Sequence, residues 1–575
     1  MRGRPTKGVN IARRQRRAQK NAAKVVRMSR RIQEGARSPF VDLERSTAGA
    51  EDSNETPMER FRRLTQSSAP DNSSSVSTNH AADANRRNLS LVETPDDAVE
   101  RFKNAVRANR NTLLTPSFGI ENSPMELVTA HILESIQRKH TAQHQTDQRI
   151  HRGDDVLVPD SGFTSTSVLL LLPSRNLAQR YIRKLVKEFE VVEKLDEFES
   201  DFGPSEPEDP KFAQKPEDYR VLFEGNVDDR FCIGIKLHRR RAVLYSEYKQ
   251  SDILVASPLG LAHYIGLGES QKAESAPSVD RSYLLASIEI LCVPMLEVFL
   301  MQNWGRLKSA IDDVNAPVEL RDTSELGDFT RLKPHFAEGT GKVHRQNIFT
   351  SLFPHPYFRS LFRHVCASSQ LAESPEEINE SQRIPSALEG LQCRVRQYFL
   401  RVPAESGVAN AHQERLTYFT EKLYRTRLTY YFATRTPMLV IVPTYYQYVG
   451  VRAFFEENIS ESYSDLCEYT SDTDRRRALR NFNTQQVHVL LTTERYYFYK
   501  RHFIKGAAVI VWYAPPVFPQ FYLENIHAIN TSSESSCVIT LFSQYDADAL
   551  VRIVGEERTG LFLQPSSASD VFFVH

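Results

Sequence analysis

The chain reads as an α/β protein in which two parallel-sheet domains follow one another, with a disordered basic extension ahead of them. Three observations predict this. Short apolar runs alternate with amphipathic segments of helical length from Ser167 onward, the pattern of strands joined by covering helices. The alternation falls into two series separated by the polar, proline-containing residues 368–390. Residues 1–37 carry thirteen Lys or Arg against a single acid, Glu34, and residues 38–90 are rich in Ser, Asn, Asp, Glu and Thr with few large apolars, a composition that cannot bury enough surface to order itself.

Each element has its own warrant. In the first series Ser167–Leu172, Asp252–Ala256, Ser287–Val293 and Arg345–Thr350 are the strand candidates. Met438–Val442, Val487–Leu491, Ala507–Trp512 and Cys537–Leu541 form the second. All are short and apolar enough for strands buried on both faces. Arg175–Val191 and Tyr445–Glu457 read as covering helices, and the crossovers are expected to be right-handed. Two helices precede the first series: Asp96 and Asp97 place acids in a first turn after Pro95, and Met125, Leu127, Val128, Ile132, Leu133 and Ile136 recur near the helical period. Residues 196–218 hold nine acids, two lysines and four prolines and read as a long acidic loop within the first unit. The expected divisions are a disordered stretch over 1–90, a helical lead-in and first domain over 91–370, a linker over 371–395 and a second domain over 396–575.

At 575 residues, with 40% hydrophobic and 25% charged residues, the chain can form two or three domains with sizeable cores. The net charge of +1 conceals the basic arm. The six cysteines are scattered with no CxxC pair, which fits buried reduced thiols and argues against a zinc site. No apolar stretch reaches the roughly 18–20 residues that span a bilayer, so no membrane partner is expected.

Leu171-Leu-Pro-Ser-Arg-Asn-Leu-Ala178 resembles the PTRELA segment of DEAD-box helicases. Asp252–Leu261 resembles their strand and TPGRL turn, Arg345–Ser351 the strand entering the SAT motif, and Arg475–Phe482 with Val489–Glu494 the second RecA-like domain. A closer match is to the U3 small nucleolar RNA-associated protein 25 family, also called digestive organ expansion factor. It rests on Asp160–Thr164, Phe231–Leu237, Ser251–Leu261, Leu300–Trp304, Glu468–Thr470 and, most specifically, Thr493–Gly506. The resemblance implies two RecA-like domains in a helicase-like core. It also implies a place in the nucleolar small-subunit processome, with pre-rRNA, the U3-containing ribonucleoprotein and other processome proteins as partners.

The chemistry of that fold is expected to be absent. In helicase-type NTPases the strand matching Ser287–Val293 ends in acids that hold magnesium; here Pro294 and Met295 follow, and neither offers an oxygen. Glu297 aligns with the last acid of the motif. No Gly-x-x-x-x-Gly-Lys-Ser/Thr loop lies before Ser167, where it is expected. Gly339-Thr-Gly-Lys342 is a decoy, with Phe336 at the first glycine position. The region matching the arginine-bearing sixth motif, Phe521–Ala528, has no arginine. His140, His144 and Asp147 could share one helix face but lack the glutamate of an HExxH site, and no Gly-x-Ser-x-Gly elbow occurs.

The reading is a non-catalytic pseudo-helicase scaffold supporting 18S rRNA maturation, in the nucleolus, without cofactor, metal or nucleotide. The alternative is an active ATP-dependent RNA helicase with divergent motifs; a protein-only adaptor whose arm serves import is a third. Candidate contacts with RNA or partners are Arg13, Arg14, Arg16, Arg17 and Lys20 in the arm, and Arg239, Arg240 and Arg241 between two strand-like segments. Arg495, Lys500, Arg501 and Lys505 complete the set; they are interleaved with aromatics as in surfaces that clamp single-stranded RNA, although most of those aromatics are expected to pack against the second sheet.

Overall fold

The computed structural model describes residues 95–115, 125–152, 158–204, 210, 212–265, 282–318, 331–367, 369–371, 374–379, 386–459, 462–531, 536–564 and 571–574. The arm candidates Arg13, Arg14, Arg16, Arg17 and Lys20 lie outside them. The first lobe contributes strands β1 (Thr112–Thr115), β2 (Val168–Leu171), β3 (Val191–Glu193), β4 (Cys232–Leu237), β5 (Arg241–Leu244), β6 (Ile253–Ala256), β7 (Ile290–Val293), β8 (Gln346–Thr350) and β9 (Glu376–Asn379). They lie in the order β3-β5-β4-β6-β2-β7-β8-β1-β9. The second lobe holds β10 (Arg396–Arg401), β11 (Met438–Val442), β12 (Tyr463–Leu466), β13 (Val489–Thr493), β14 (Val509–Trp512), β15 (Cys537–Phe542) and β16 (Val571–Val574). Their order is β12-β13-β11-β14-β15-β10-β16.

All eight strand candidates are strands, and they form two predominantly parallel sheets that follow one another along the chain. Their apolar composition follows from burial: every residue of β2, β6, β7, β11, β13 and β15 is buried, because helices cover both faces. Two strands depart from the parallel rule. β4 runs antiparallel to both β5 and β6, and β16 antiparallel to β10. β8 carries polar Gln346 and Asn347 inside the sheet, and both are satisfied: Gln346 Nε2 donates to the carbonyls of Val106 and Arg110, and Asn347 Nδ2 to Asn111.

Two expectations need correction. Residues 376–379, assigned to the linker, pair in register with β1 as an edge strand of the first sheet; four residues beginning Glu-Glu have no apolar run to announce them. The acidic stretch 196–218 is not a plain loop. Leu195–Phe202 is a helix that buries Phe198 and Phe202, and Glu217–Phe223 is a second helix that buries Tyr219 and Leu222. Its aromatic residues supply the apolar area that its acids conceal. Among the described residues no helix is long and apolar enough to cross a membrane.

Candidate functional site: the cleft between the two sheets

In open parallel sheets ligands bind beyond the carboxyl ends of the strands, where the strand order reverses. In the first lobe that point adjoins β1, which leads by the long helix Met125–His151 to β2 on one side while β9 returns on the other. A phosphate loop would therefore follow β1, well ahead of the place before Ser167 where the sequence pattern puts it. The connecting residues 116–124 contain one glycine, Gly119, and no lysine.

At the end of β7 the chain turns through Pro294 and Met295. Met295 adopts a left-handed backbone (φ 59) and is almost buried, and its amide donates to Thr350 Oγ1 over 3.4 Å. The helix Leu296–Met301 follows and carries Glu297 inward to 1% exposure. Glu297 Oε2 accepts from the backbone amide of Leu352, 3.1 Å away, in the turn after β8. Its other oxygen has no hydrogen-bond partner. Burial pushes the carboxyl up to about 7, against the backbone hydrogen bond from Leu352 that pulls it down. The acid fastens two loops of its own lobe. A magnesium–nucleotide would need oxygen ligands and a phosphate-facing lysine here, and Pro294, Met295 and a turned-in Glu297 do not fit it.

The other suspected sites are dispersed. Lys342 of the decoy donates to the carbonyl of Asp312. His140 bonds Asp252 at 2.8 Å, His144 meets Gln148, and Asp147 pairs with Arg331. Among the described residues no group of three or more His, Cys, Asp or Glu could hold a metal ion.

The cleft is filled by contacts between lobes. One apolar cluster includes Val293, Leu296, Phe349 and Phe353 of the first lobe with Phe498, Phe518, Phe521 and Trp512 of the second. Arg552, 2% exposed, lies over the Phe353 ring at 4.5 Å and donates to the Pro354 carbonyl at 2.9 Å. Burial lowers this guanidinium to about 10. From the second lobe it reaches the turn after β8, where it meets a carbonyl and a ring.

A second bridge is made by the acidic segment. Arg501, also 2% exposed, donates to Asp218 at 2.6 Å and to Glu524 at 2.7 Å, and covers Phe521 at 4.4 Å. Burial opposes its charge, but Glu524 and Asp218 outweigh it and raise the guanidinium above its usual range. Tyr219 donates to the Tyr499 carbonyl, Tyr499 to the Met301 carbonyl, and Lys215 Nζ to the carbonyls of Lys500 and Arg501, all within 3.0 Å. Phe223 meets Phe498 edge-on at 5.3 Å. Lobes joined by a linker move freely unless their interface is large and apolar; this one is apolar and doubly bolted by buried arginines.

The sequence-derived contact residues therefore divide. Arg501 is a correction: it is sealed between two acids and an aromatic ring and cannot touch RNA. Arg495 is partly shielded and faces Glu468 at 3.6 Å. Lys500 and Lys505 are exposed, and Tyr496, Tyr497 and Phe498 are buried. Arg239, Arg240 and Arg241 are exposed at the β4–β5 turn; Arg240 faces Glu190 at 3.5 Å and Arg241 faces Glu193 at 2.8 Å. Asp218, Glu524 and Arg552 escape sequence reasoning, since nothing local marks an acid or arginine that will meet a partner hundreds of residues away.

Residues 111–370 match the family model described as UTP25, NTP hydrolase-like domain, and residues 387–572 match Utp25, C-terminal domain. The human U3 small nucleolar RNA-associated protein 25 homolog is 30% identical over 458 residues, 77% of this chain and 58% of that protein. The Schizosaccharomyces pombe U3 small nucleolar RNA-associated protein 25 is 30% identical over 441 residues, 75% of this chain and 64% of its own. The matched part thus spans less than two thirds of these relatives. Among solved structures, a DEAD box protein from Methanococcus jannaschii aligns over 85% of this chain and 96% of its own, at 11% identity and a TM-score of 0.23.

Proposed function

Because the chain belongs to the U3 small nucleolar RNA-associated protein 25 family, we propose that it acts in ribosome biogenesis as a non-catalytic scaffold of the nucleolar small-subunit processome. In this reading it contacts pre-rRNA and neighbouring processome proteins during 18S rRNA maturation. The observation that carries the proposal is the end of β7, where Pro294 and Met295 offer no metal ligand and Glu297 turns inward to hold the amide of Leu352. Arg552 supports it, because a buried arginine bound to Pro354 and Phe353 is not available to a phosphate. The basic arm, with Arg13, Arg14, Arg16, Arg17 and Lys20, and the exposed Arg239, Arg240 and Arg241 are the proposed RNA or partner contacts. Their density of positive charge suits a phosphate backbone.

ATP turnover by the purified full chain tests this, measured with and without single-stranded RNA. The expected outcome is no turnover above buffer in either condition. RNA-stimulated turnover that disappears on replacing Glu297 would overturn the scaffold reading in favour of an active helicase.

A further inference from the structure

The helix Glu494–Lys500 ends on a residue unsuited to its place. Arg501 follows it with a left-handed backbone (φ 41), and its amide donates to the Tyr497 carbonyl at 2.8 Å. Glycine adopts that conformation freely, whereas a residue with a Cβ is strained in it. A helix end also leaves its last carbonyls without partners in their own turn. Here the carbonyls of Tyr499, Lys500 and Arg501 are met from the first lobe, by the Tyr219 hydroxyl at 2.8 Å and by Lys215 Nζ at 3.0 and 2.8 Å. Asp218, which lies between those two donors in the chain, accepts from the Arg501 guanidinium at 2.6 Å. All three residues are fixed to their own lobe through the helix Glu217–Phe223, which buries Leu222, and the Leu222 carbonyl accepts from Asn176 Nδ2 at 2.8 Å.

We propose that residues 215–223 are a conformational latch. They supply, from the first lobe, the cap that the helix Glu494–Lys500 lacks, so the turn 501–506 stays ordered only while the lobes are closed. The second lobe gives this turn a weaker hold of its own. Glu524 accepts from Arg501 at 2.7 Å, the Tyr496 hydroxyl meets His502 Nδ1 at 2.7 Å, and Ile504 points inward at 4% exposure. None of these reaches the three carbonyls. Parting the lobes strips the carbonyls of their donors and leaves Arg501 with one acid in place of two, and the strained backbone loses its restraint. Order in the turn and closure of the cleft are therefore one event. By linkage, whatever binds the ordered turn favours closed lobes, and whatever wedges the cleft releases the turn.

Native-state hydrogen exchange of the full chain tests the latch, read by mass spectrometry on peptides covering 499–507 at rising, sub-denaturing urea. Release of the turn requires the lobes to part and expose the cleft, so its exchange should quicken with urea well before β11 and β13 begin to exchange. Exchange at 499–507 that ignores urea would show a turn that frays alone and would overturn the proposal. Lys215→Met/Tyr219→Phe removes the donors to the three carbonyls and changes no residue of the second lobe. It should speed exchange at 499–507 by about tenfold and leave β11 and β13 as in the wild type. An unchanged rate at 499–507 in this variant would mean that the second lobe orders the turn by itself, and the latch would be overturned. Should the variant prove unstable throughout, the urea dependence of the wild type carries the test without any substitution.

Discussion

Glu297, beyond the carboxyl edge of the first sheet, and Arg501, beyond that of the second, are both almost sealed from solvent, at 1% and 2% exposure. The protein treats them in opposite ways. Glu297 has one backbone amide, no cation, and one oxygen without a partner, so burial raises its carboxyl to about 7 and favours the neutral acid. Arg501 has two carboxylates and two rings, and its charge is kept. A buried group that can shed its charge becomes a neutral fastener within one lobe. A group that cannot shed it must be surrounded by acids, and here one of those acids comes from the other lobe. The position that suggests lost chemistry and the position that suggests RNA binding have both become structural, one local and one between lobes.

The largest effect expected from this contrast is at Arg501. Replacing it by alanine strips the shared cation from Asp218 and Glu524. Removing one member of a buried ion pair costs about 3–5 kcal/mol, and because both acids keep some solvent contact the low end, about 3 kcal/mol, applies. Arg501→Lys should recover little, since one ammonium cannot fork to two carboxylates and lie over Phe521. Denaturant unfolding of the full chain measures this. A loss below about 1 kcal/mol for Arg501→Ala would mean that the aromatic contacts alone join the lobes.

Sequence reading and structure diverge at the same residue. The eight buried strands are legible because a parallel strand covered on both faces must be apolar throughout. β1, β3, β9 and β12 carry Thr, Glu, Asn, Ser or Asp among their three or four residues and so show no unbroken apolar run. Pro294, Met295 and the lack of arginine in 521–528 are legible because they are read directly from the residues. Arg501 is not, since Lys500, Arg501 and Lys505 are equivalent in the string. What separates them is Asp218, 283 residues earlier in the chain, inside a segment whose nine acids read as solvated. Phe198 and Phe202, and then Tyr219 and Phe223, two pairs of aromatics at helical spacing, were the available signal.

The next effect in size is pH-dependent and belongs to Glu297. Its folded value, about 7, lies above its ordinary 4.5. Below 4.5 both folded and unfolded chains hold the proton, and the carboxyl adds no pH dependence. From 4.5 to 7 the unfolded chain releases the proton first, so stability falls as pH rises, and above 7 the loss levels off. Glu494, raised by burial to about 8, adds a decline of the same sign that extends further. Glu297→Gln keeps an oxygen for the Leu352 amide and removes the titration. The variant should match the wild type near about pH 4.5 and exceed it by on the order of 2 kcal/mol near pH 8. Parallel unfolding curves for the two proteins across that range would mean that Glu297 ionises freely and is not the neutral fastener described above.

The smallest effect sets the scale for the other two. Arg180 and Glu224 form an ion pair at 3.2 Å between the helix Arg175–Val186 and the end of the acidic segment, but both side chains keep much of their exposure, 34% and 55%. Water screens such a pair, and ordering two long side chains offsets most of the attraction, so Arg180→Ala should change stability by no more than about 0.5–1 kcal/mol, diminishing with added salt. Arg501→Ala should be nearly insensitive to salt, because its partners are reached through protein. The acidic segment therefore meets its own lobe partly through screened ion pairs such as this one, and meets the other lobe through a set of contacts that includes the shielded Arg501–Asp218 pair. If Arg180→Ala proved as costly as Arg501→Ala, burial would not be what distinguishes the two arginines, and the contrast between a solvated face and a bolted one would fail.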